Sequence, residues 1–247
     1  MEDELLRRAE DLCTRCERTA TVTATPFLTP AEQYALTAWA KHRADCTVVL
    51  HGGHSNCERK AAFFLPFYLA PEDFDASEYL RAVRVTASFG TPGHRDYLGA
   101  LLGLGVRREW IGDVLVFDNM AYVLCLPSVE EHLRTLEKVG RCGVKTASVA
   151  LRDVPAPERR TKTVTFTVRS LRLDAAIAGL FGLSRTAAAE RIRAGLASLN
   201  YSECLRTDAP VQVGDILSLR GAGKGAITDA GGISRKGRQF ITAELWQ

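Results

Sequence analysis

Apolar residues Leu5, Leu6, Ala9, Leu12, Cys13 and Cys16 recur at helical spacing and fall on one stripe, which predicts an amphipathic helix over residues 2–18. In Thr29-Pro30-Ala31-Glu32 a cap residue, a proline at the first helical position and a first-turn acid precede the apolar series Tyr34, Leu36, Ala38 and Trp39. That order predicts a second helix ending near Arg43. The run 46–50, ended by Gly52-Gly53, reads as a strand, and 58–65 as a helix stopped before Pro66. Residues 1–72 are thus expected to form an α/β unit.

From 73 to 152 the pattern gives strand 81–88, helix 96–104, strands 113–117 and 121–126, a helix capped by Ser128 and running to Val139, and strand 144–151. The order βαββαβ is that of the ferredoxin-like arrangement, used by many RNA-binding domains among other proteins. Residues 153–162, with Pro155 and Pro157, read as a linker. In 163–247, Ser170 is expected to cap a helix with the stripe Leu173, Ile177, Leu180 and Phe181; Gly182 breaks it, Ser184 caps a second helix, and Gly195 ends that one. Strands follow at 196–199 and 216–219, then a glycine-rich stretch, 221–232, and a last strand, 239–246. The fold class is α+β.

Charge changes the picture once it is divided along the chain. The net value of +3 over 247 residues hides a segment, 158–247, with 14 Lys and Arg against 8 Asp and Glu, while the rest holds 18 against 21. The last third is a basic module on a mildly acidic body, as a bound polyanion requires. No apolar run approaches the ~18 residues that a membrane span needs. The acidic start lacks the order of a secretory signal, so a cytoplasmic protein without membrane contact is expected. Seven scattered cysteines, an odd number, point to reduced thiols.

Within the module, Arg172 and Arg185 stand at the predicted starts of two adjacent helices, where backbone N–H groups and the helix dipole favour phosphate and a guanidinium adds bidentate contacts. Ser184 caps the second of these helices. Arg193, Arg220 and Lys224 widen the surface, and Asp174 is placed to orient an arginine or support the first helical turn. Arg95, Arg107 and Arg108 form a possible second RNA-contacting group.

Arg172-Leu173-Asp174, Leu183-Ser184-Arg185, Arg193-Ala194-Gly195-Leu196, Leu199-Asn200, Val213-Gly214-Asp215-Ile216 and Leu219-Arg220-Gly221 resemble, in order, type and spacing, the S4-type RNA-binding domain. Tyr201 departs from it, since S4 domains usually carry Gly there, and an altered turn after Asn200 is expected. Phe27-Leu28-Thr29-Pro30, Gly52-Gly53, Glu58-Arg59-Lys60-Ala61 and the run from His94 to Gly105 look like the bacterial YlmH family, extending the resemblance to nearly the whole chain. The resemblance implies a non-catalytic protein of ribosome-associated quality control. Such a protein would bind ribosomal RNA of the large subunit and tRNA on a 50S particle blocked by peptidyl-tRNA, with Arg172 and Arg185 on the RNA backbone. Two other classes stay open: an S4-domain RNA-modifying enzyme of pseudouridine-synthase type, and a cell-division or protein-interaction adaptor.

Other signals are set aside for stated reasons. Cys13 and Cys16 sit on the apolar stripe of the first helix, and nothing in the sequence holds them to His51, His54 and Cys57, so no metal site is assigned. His94-Arg95-Asp96 is similar to the His-Arg-Leu-Asp of pseudouridine synthases but lacks the Leu and reads as a helix start, so no catalytic residue is assigned. Gly103-Leu104-Gly105 and Gly223-Lys224-Gly225 lack the further residues of nucleotide-binding loops, so no nucleotide or other cofactor is expected. The first middle strand has no aromatics and the third only Tyr122, which argues against base stacking of the usual RRM kind.

Overall fold

The computed structural model describes residues 2–43, 46–54, 56–156, 161–234 and 237–246. Part of the expected linker, 157–160, lies outside them. The chain divides into two compact units, Met1–Pro157 and Glu158–Gln247.

In the first unit, helix α1 (Glu2–Thr19) lays Ala9, Cys13 and Cys16 into a core with Leu28, Leu36, Ala62 and Phe64. Helix α2 (Pro30–Ala40) starts as its sequence dictates: Glu32 N donates to Thr29 Oγ1 at 3.3 Å, and Thr29 N to Glu32 Oε2 at 2.6 Å, a reciprocal cap. Strands β1 (Thr23–Leu28), β2 (Thr47–His51) and β3 (Lys60–Leu65) form an antiparallel sheet in the order β1-β3-β2. The helix expected over 58–65 is therefore a strand. Its residues 61–65 are all buried, because Phe64 enters the core under the helices while Phe63 enters a second core with Leu80, Ala82 and Leu124. A strand buried on both faces shows no alternation in sequence and is indistinguishable there from a short buried helix.

That second core joins the small sheet to a five-stranded antiparallel one. Its members are β4 (Arg81–Ala87), β5 (Ile111–Phe117), β6 (Met120–Cys125), β7 (Lys138–Val139) and β8 (Cys142–Val149), in the order β5-β6-β4-β8-β7. Helices α3 (His94–Gly103) and α4 (Glu130–Arg134) contribute Tyr97, Leu101 and Leu133 to a third core with Val83, Val85 and Val123 of the sheet. The helix expected from Ser128 to Val139 is much shorter. Ser128 lies in a 3₁₀ turn and caps nothing, and the hydroxyls of Thr135 and Thr146 donate to the carbonyls of His132 and Arg134, ending the helix before β7.

The second unit is a helix pair on a six-stranded antiparallel sheet. It comprises β9 (Thr161–Val168), α5 (Leu173–Phe181), α6 (Arg185–Arg193), β10 (Ala197–Leu199), β11 (Ser202–Glu203), β12 (Ile216–Leu219), β13 (Gly223–Ile233) and β14 (Gln239–Trp246). The strand order is β11-β10-β12-β13-β14-β9. Leu173, Ile177 and Leu180 of α5 pack with Ile192 of α6 and with Leu217, Ile227 and Ile241 of the sheet. Each such side chain, taken fully out of water, contributes ~1.5–3 kcal/mol. The glycine-rich stretch expected as a connection is strand β13. Its Gly225 is a packing requirement, since a Cβ there would lie 2.5 Å from the Glu244 carbonyl oxygen and 3.0 Å from Leu180.

Candidate nucleic-acid interface

Helix α5 begins at Arg172, not at Ser170, whose carbonyl instead accepts the Arg172 N–H at 3.1 Å. Its first amides already have acceptors: Leu173 N donates to Ala209 O at 2.9 Å, Asp174 N to Thr207 O at 3.0 Å, and Ala175 N to the Asp174 carboxylate at 2.8 Å. The start of α5 thus offers a phosphate no open backbone amides and contributes only a side chain. Helix α6 differs. Ser184 Oγ takes the Ala187 N–H at 3.1 Å, as its sequence position predicts, which leaves the two amides before it directed out of the first turn.

Asp174, 7% exposed, joins the two helix starts. One carboxylate oxygen forms an ion pair with Arg185, and the other lies 3.7 Å from Arg172 Nε. The Arg172 and Arg185 side chains remain 42% and 61% exposed, so the carboxylate holds Arg185 by a hydrogen bond and Arg172 by charge alone and leaves the rest of each guanidinium to solvent. Arg172 Nε is itself buried without a hydrogen-bond acceptor, which keeps that guanidinium short of full neutralisation. A pair held this way loses little side-chain entropy on meeting a phosphate.

Arg185 also lines a concavity of about 440 Å³ with Arg169, Ser170 and Arg238. Arg169 and Arg238, both exposed, went unmarked in the sequence. They belong to no motif there, although they count toward the excess of basic residues. Arg220 and Lys224 do not join this group. They line another concavity of about 430 Å³ with Tyr201, Glu203, Ser198 and Ser218. Arg193, exposed in the last turn of α6, lines neither.

The tyrosine does not give the altered turn expected after Asn200: the turn is of the two-residue kind that Asn-Gly favours. Asn200 (φ 50°) and Tyr201 (φ 67°) both occupy the left-handed region, joining β10 to β11 through two residues as a primed hairpin turn does. Asn200 suits this, its side chain donating to Asp215 at 2.8 Å and accepting from Ile216 N at 2.9 Å. A tyrosine does not suit it, at a cost of ~1–2 kcal/mol. Lys224 Nζ sits 5.9 Å from the centroid of the Tyr201 ring.

The arginines of the first unit are held otherwise. Arg108 donates to the carbonyls of Ile111 at 2.5 Å and Gly112 at 3.1 Å, and burial together with neighbouring Arg59 lowers its pKa. Arg59 donates to Phe27 O at 2.8 Å, and its pKa is likewise lowered by burial. Asp113, beside them, accepts the N–H groups of Glu58 (2.6 Å) and Arg59 (3.0 Å). Arg107 pairs with Glu109 and lies over Trp110, while Arg95 is exposed in the first turn of α3. Next to it Asp96 caps that helix, accepting Gly93 N at 2.8 Å, which is the role of a helix start. Cys57, its thiol pushed up to about 12 by burial, donates to Gly52 O, and Cys16 donates to Phe64 O. Among the described residues no group of three or more His, Cys, Asp or Glu could hold a metal ion, and no helix is long and apolar enough to cross a membrane.

Fold and site together define an α+β protein that carries a basic helix-pair module, with two guanidiniums presented from one buried carboxylate. Residues 70–153 match the family described as "Putative RNA-binding domain in YlmH". The chain is 31% identical over 221 residues to the ribosome-associated protein quality control protein P2 of Bacillus subtilis (strain 168), an alignment covering 89% of this chain and 86% of that one. It belongs to the YlmH family. The solved structure of the cell division protein ylmH from Streptococcus pneumoniae has the same fold over 62% of this chain and 93% of its own, with a TM-score of 0.53 at 20% identity.

Proposed function

We propose that this is a non-catalytic RNA-binding protein that associates with the ribosome, specifically with a 50S subunit carrying peptidyl-tRNA, in ribosome-associated quality control. The observation that carries the reading is the pair Arg172 and Arg185, oriented by Asp174 at two helix starts, in a chain whose Bacillus relative is named for that process. In this reading 163–247 is an S4-type module that meets ribosomal RNA and tRNA backbone through Arg172, Ser184 and Arg185, extended by Arg169 and Arg238. The strand order of the five-stranded sheet and its antiparallel pairing support a ferredoxin-like middle domain over 73–152. Of its arginines, Arg95 and Arg107 are open to RNA, whereas Arg108 acts mainly within the fold. The work is done in the cytoplasm, without cofactor.

Co-sedimentation with 30S, 50S and peptidyl-tRNA-blocked 50S particles across a salt series tests the reading. The wild type should enrich on blocked 50S particles, and Arg172→Glu/Arg185→Glu should weaken that by at least about tenfold. The neutral double alanine variant should reduce the slope of log affinity against log salt by about 1.5. Indifference of the wild type to ribosomes would overturn the proposal; unchanged binding by the charge-reversed variant would overturn its site.

A further inference from the structure

The concavity beside the β10–β11 turn combines features that phosphate binding alone does not call for. Its wall holds an aromatic ring, Tyr201, fixed at φ 67° in a turn anchored by the Asn200 side chain. Backbone strain of this kind persists where the surroundings over-determine it, and it concentrates at binding sites. Around the ring stand Lys224, Arg220, a carboxylate, Glu203, and the hydroxyls of Ser198 and Ser218. Its volume, about 430 Å³, is in the range of small-ligand sites. Aromatic face, cations and hydrogen-bonding groups in one shallow site match a nucleotide, whose base stacks, whose phosphate is anionic and whose base edge carries donors and acceptors. A base inside a duplex is covered on both faces and cannot reach a ring within a concavity.

We infer that this concavity takes one unpaired, splayed-out base of a structured RNA, stacked on Tyr201, with Arg220 and Lys224 on the adjoining phosphates and Glu203 accepting from an exocyclic amino group. The inference rests on the module being an RNA binder and adds what it reads: an interruption in a helix, where the Arg172 and Arg185 pair reads backbone.

The test uses the full chain and two hairpin RNAs, one with a single bulged 2-aminopurine and one with that base paired, followed by anisotropy and by 2-aminopurine fluorescence. Wild type and Tyr201→Phe should quench the bulged probe and bind it about tenfold more tightly than the paired hairpin, the size expected for one stacked base. Tyr201→Gly, which relieves the positive φ and so does not endanger folding, should lose the quenching and the preference while binding the paired hairpin as before. Unchanged fluorescence at saturating wild-type protein, or a preference kept by Tyr201→Gly, would overturn the inference alone. Failure of the wild type to bind either hairpin while it still co-sediments with blocked 50S particles would overturn the inference alone, and failure in both assays would overturn the RNA-binding reading with it. Arg172→Glu/Arg185→Glu should weaken both hairpins equally, which separates the two sites.

Discussion

Asp174 lies with Arg172 and Arg185 in one unit, and Asp113 lies beside Arg59 and Arg108 in the other. The composition is the same and the use opposite. Asp174 is buried and accepts from the Arg185 guanidinium, with Arg172 Nε 3.7 Å away as an ion pair, so that the outer edges of both guanidiniums stay in water. Asp113 accepts from backbone amides at residues 58 and 59, and its neighbouring arginines turn inward to carbonyls of Phe27, Ile111 and Gly112. What decides between a binding surface and an internal brace is the identity of the acceptors, a property that composition does not carry.

The contrast can be broken from the brace side first. A Cβ at Gly52 would lie 2.5 Å from the Arg59 carbonyl oxygen and 2.4 Å from Cys57 Cβ. Gly52→Ala must therefore displace the loop that seats Arg59, and urea denaturation should show a loss of about 3 kcal/mol. Asp113→Ala should cost about 1.5 kcal/mol, chiefly by leaving the part-buried Arg59 amide without its acceptor, with RNA affinity unchanged for either variant once folded. At the surface site the dependence reverses. Asp174→Asn should leave the urea midpoint of the second unit nearly in place while lowering RNA affinity about tenfold, ~1.4 kcal/mol, because Arg172 and Arg185 lose their common charged anchor.

The smallest effect concerns pH. Burial, reinforced by Lys60, lowers the pKa of His51, and burial lowers that of His54; their Nδ1 atoms accept from Gly53 N and Asn56 N. Groups depressed in the folded state contribute stability that is fully present above the unfolded pKa of about 6.5 and is lost as pH falls toward the folded values. The urea midpoint of the first unit should fall between pH 7 and pH 5.5, and His51→Gln/His54→Gln should flatten that fall. A midpoint that rises on acidification would contradict the burial of both imidazoles.

Much of the geometry of the candidate site is legible in the sequence because it depends on local signals. Ser184 as cap, Gly182 as break, and the pairing of Arg172 with Arg185 follow from residue types at fixed helical offsets. The sequence implies open amides at the α5 start, yet those of Leu173 and Asp174 are satisfied by the carbonyls of Ala209 and Thr207, which only the tertiary fold brings there. Arg169 and Arg238 escaped for the same reason. Strand β9 alternates Thr with Val and Phe but directly follows a proline-containing stretch that masks its start, and the glycines of β13 hide a strand that needs them for close approach. Strand β3 was hidden by burial on both faces.

The sheet of the second unit also sets an order of events. β9 comes first in that unit, and its partner is β14, the strand that comes last; their paired residues run from Val168 with Gln239 to Thr161 with Trp246. During synthesis β9 must therefore wait unpaired until nearly all of the unit has been made. The helix pair, whose contacts are local, can form well before its sheet is closed. A nascent chain interrupted after the helix pair is complete at Arg193 but before residue 239 would display that pair on an unfinished support, leaving it exposed to proteolysis.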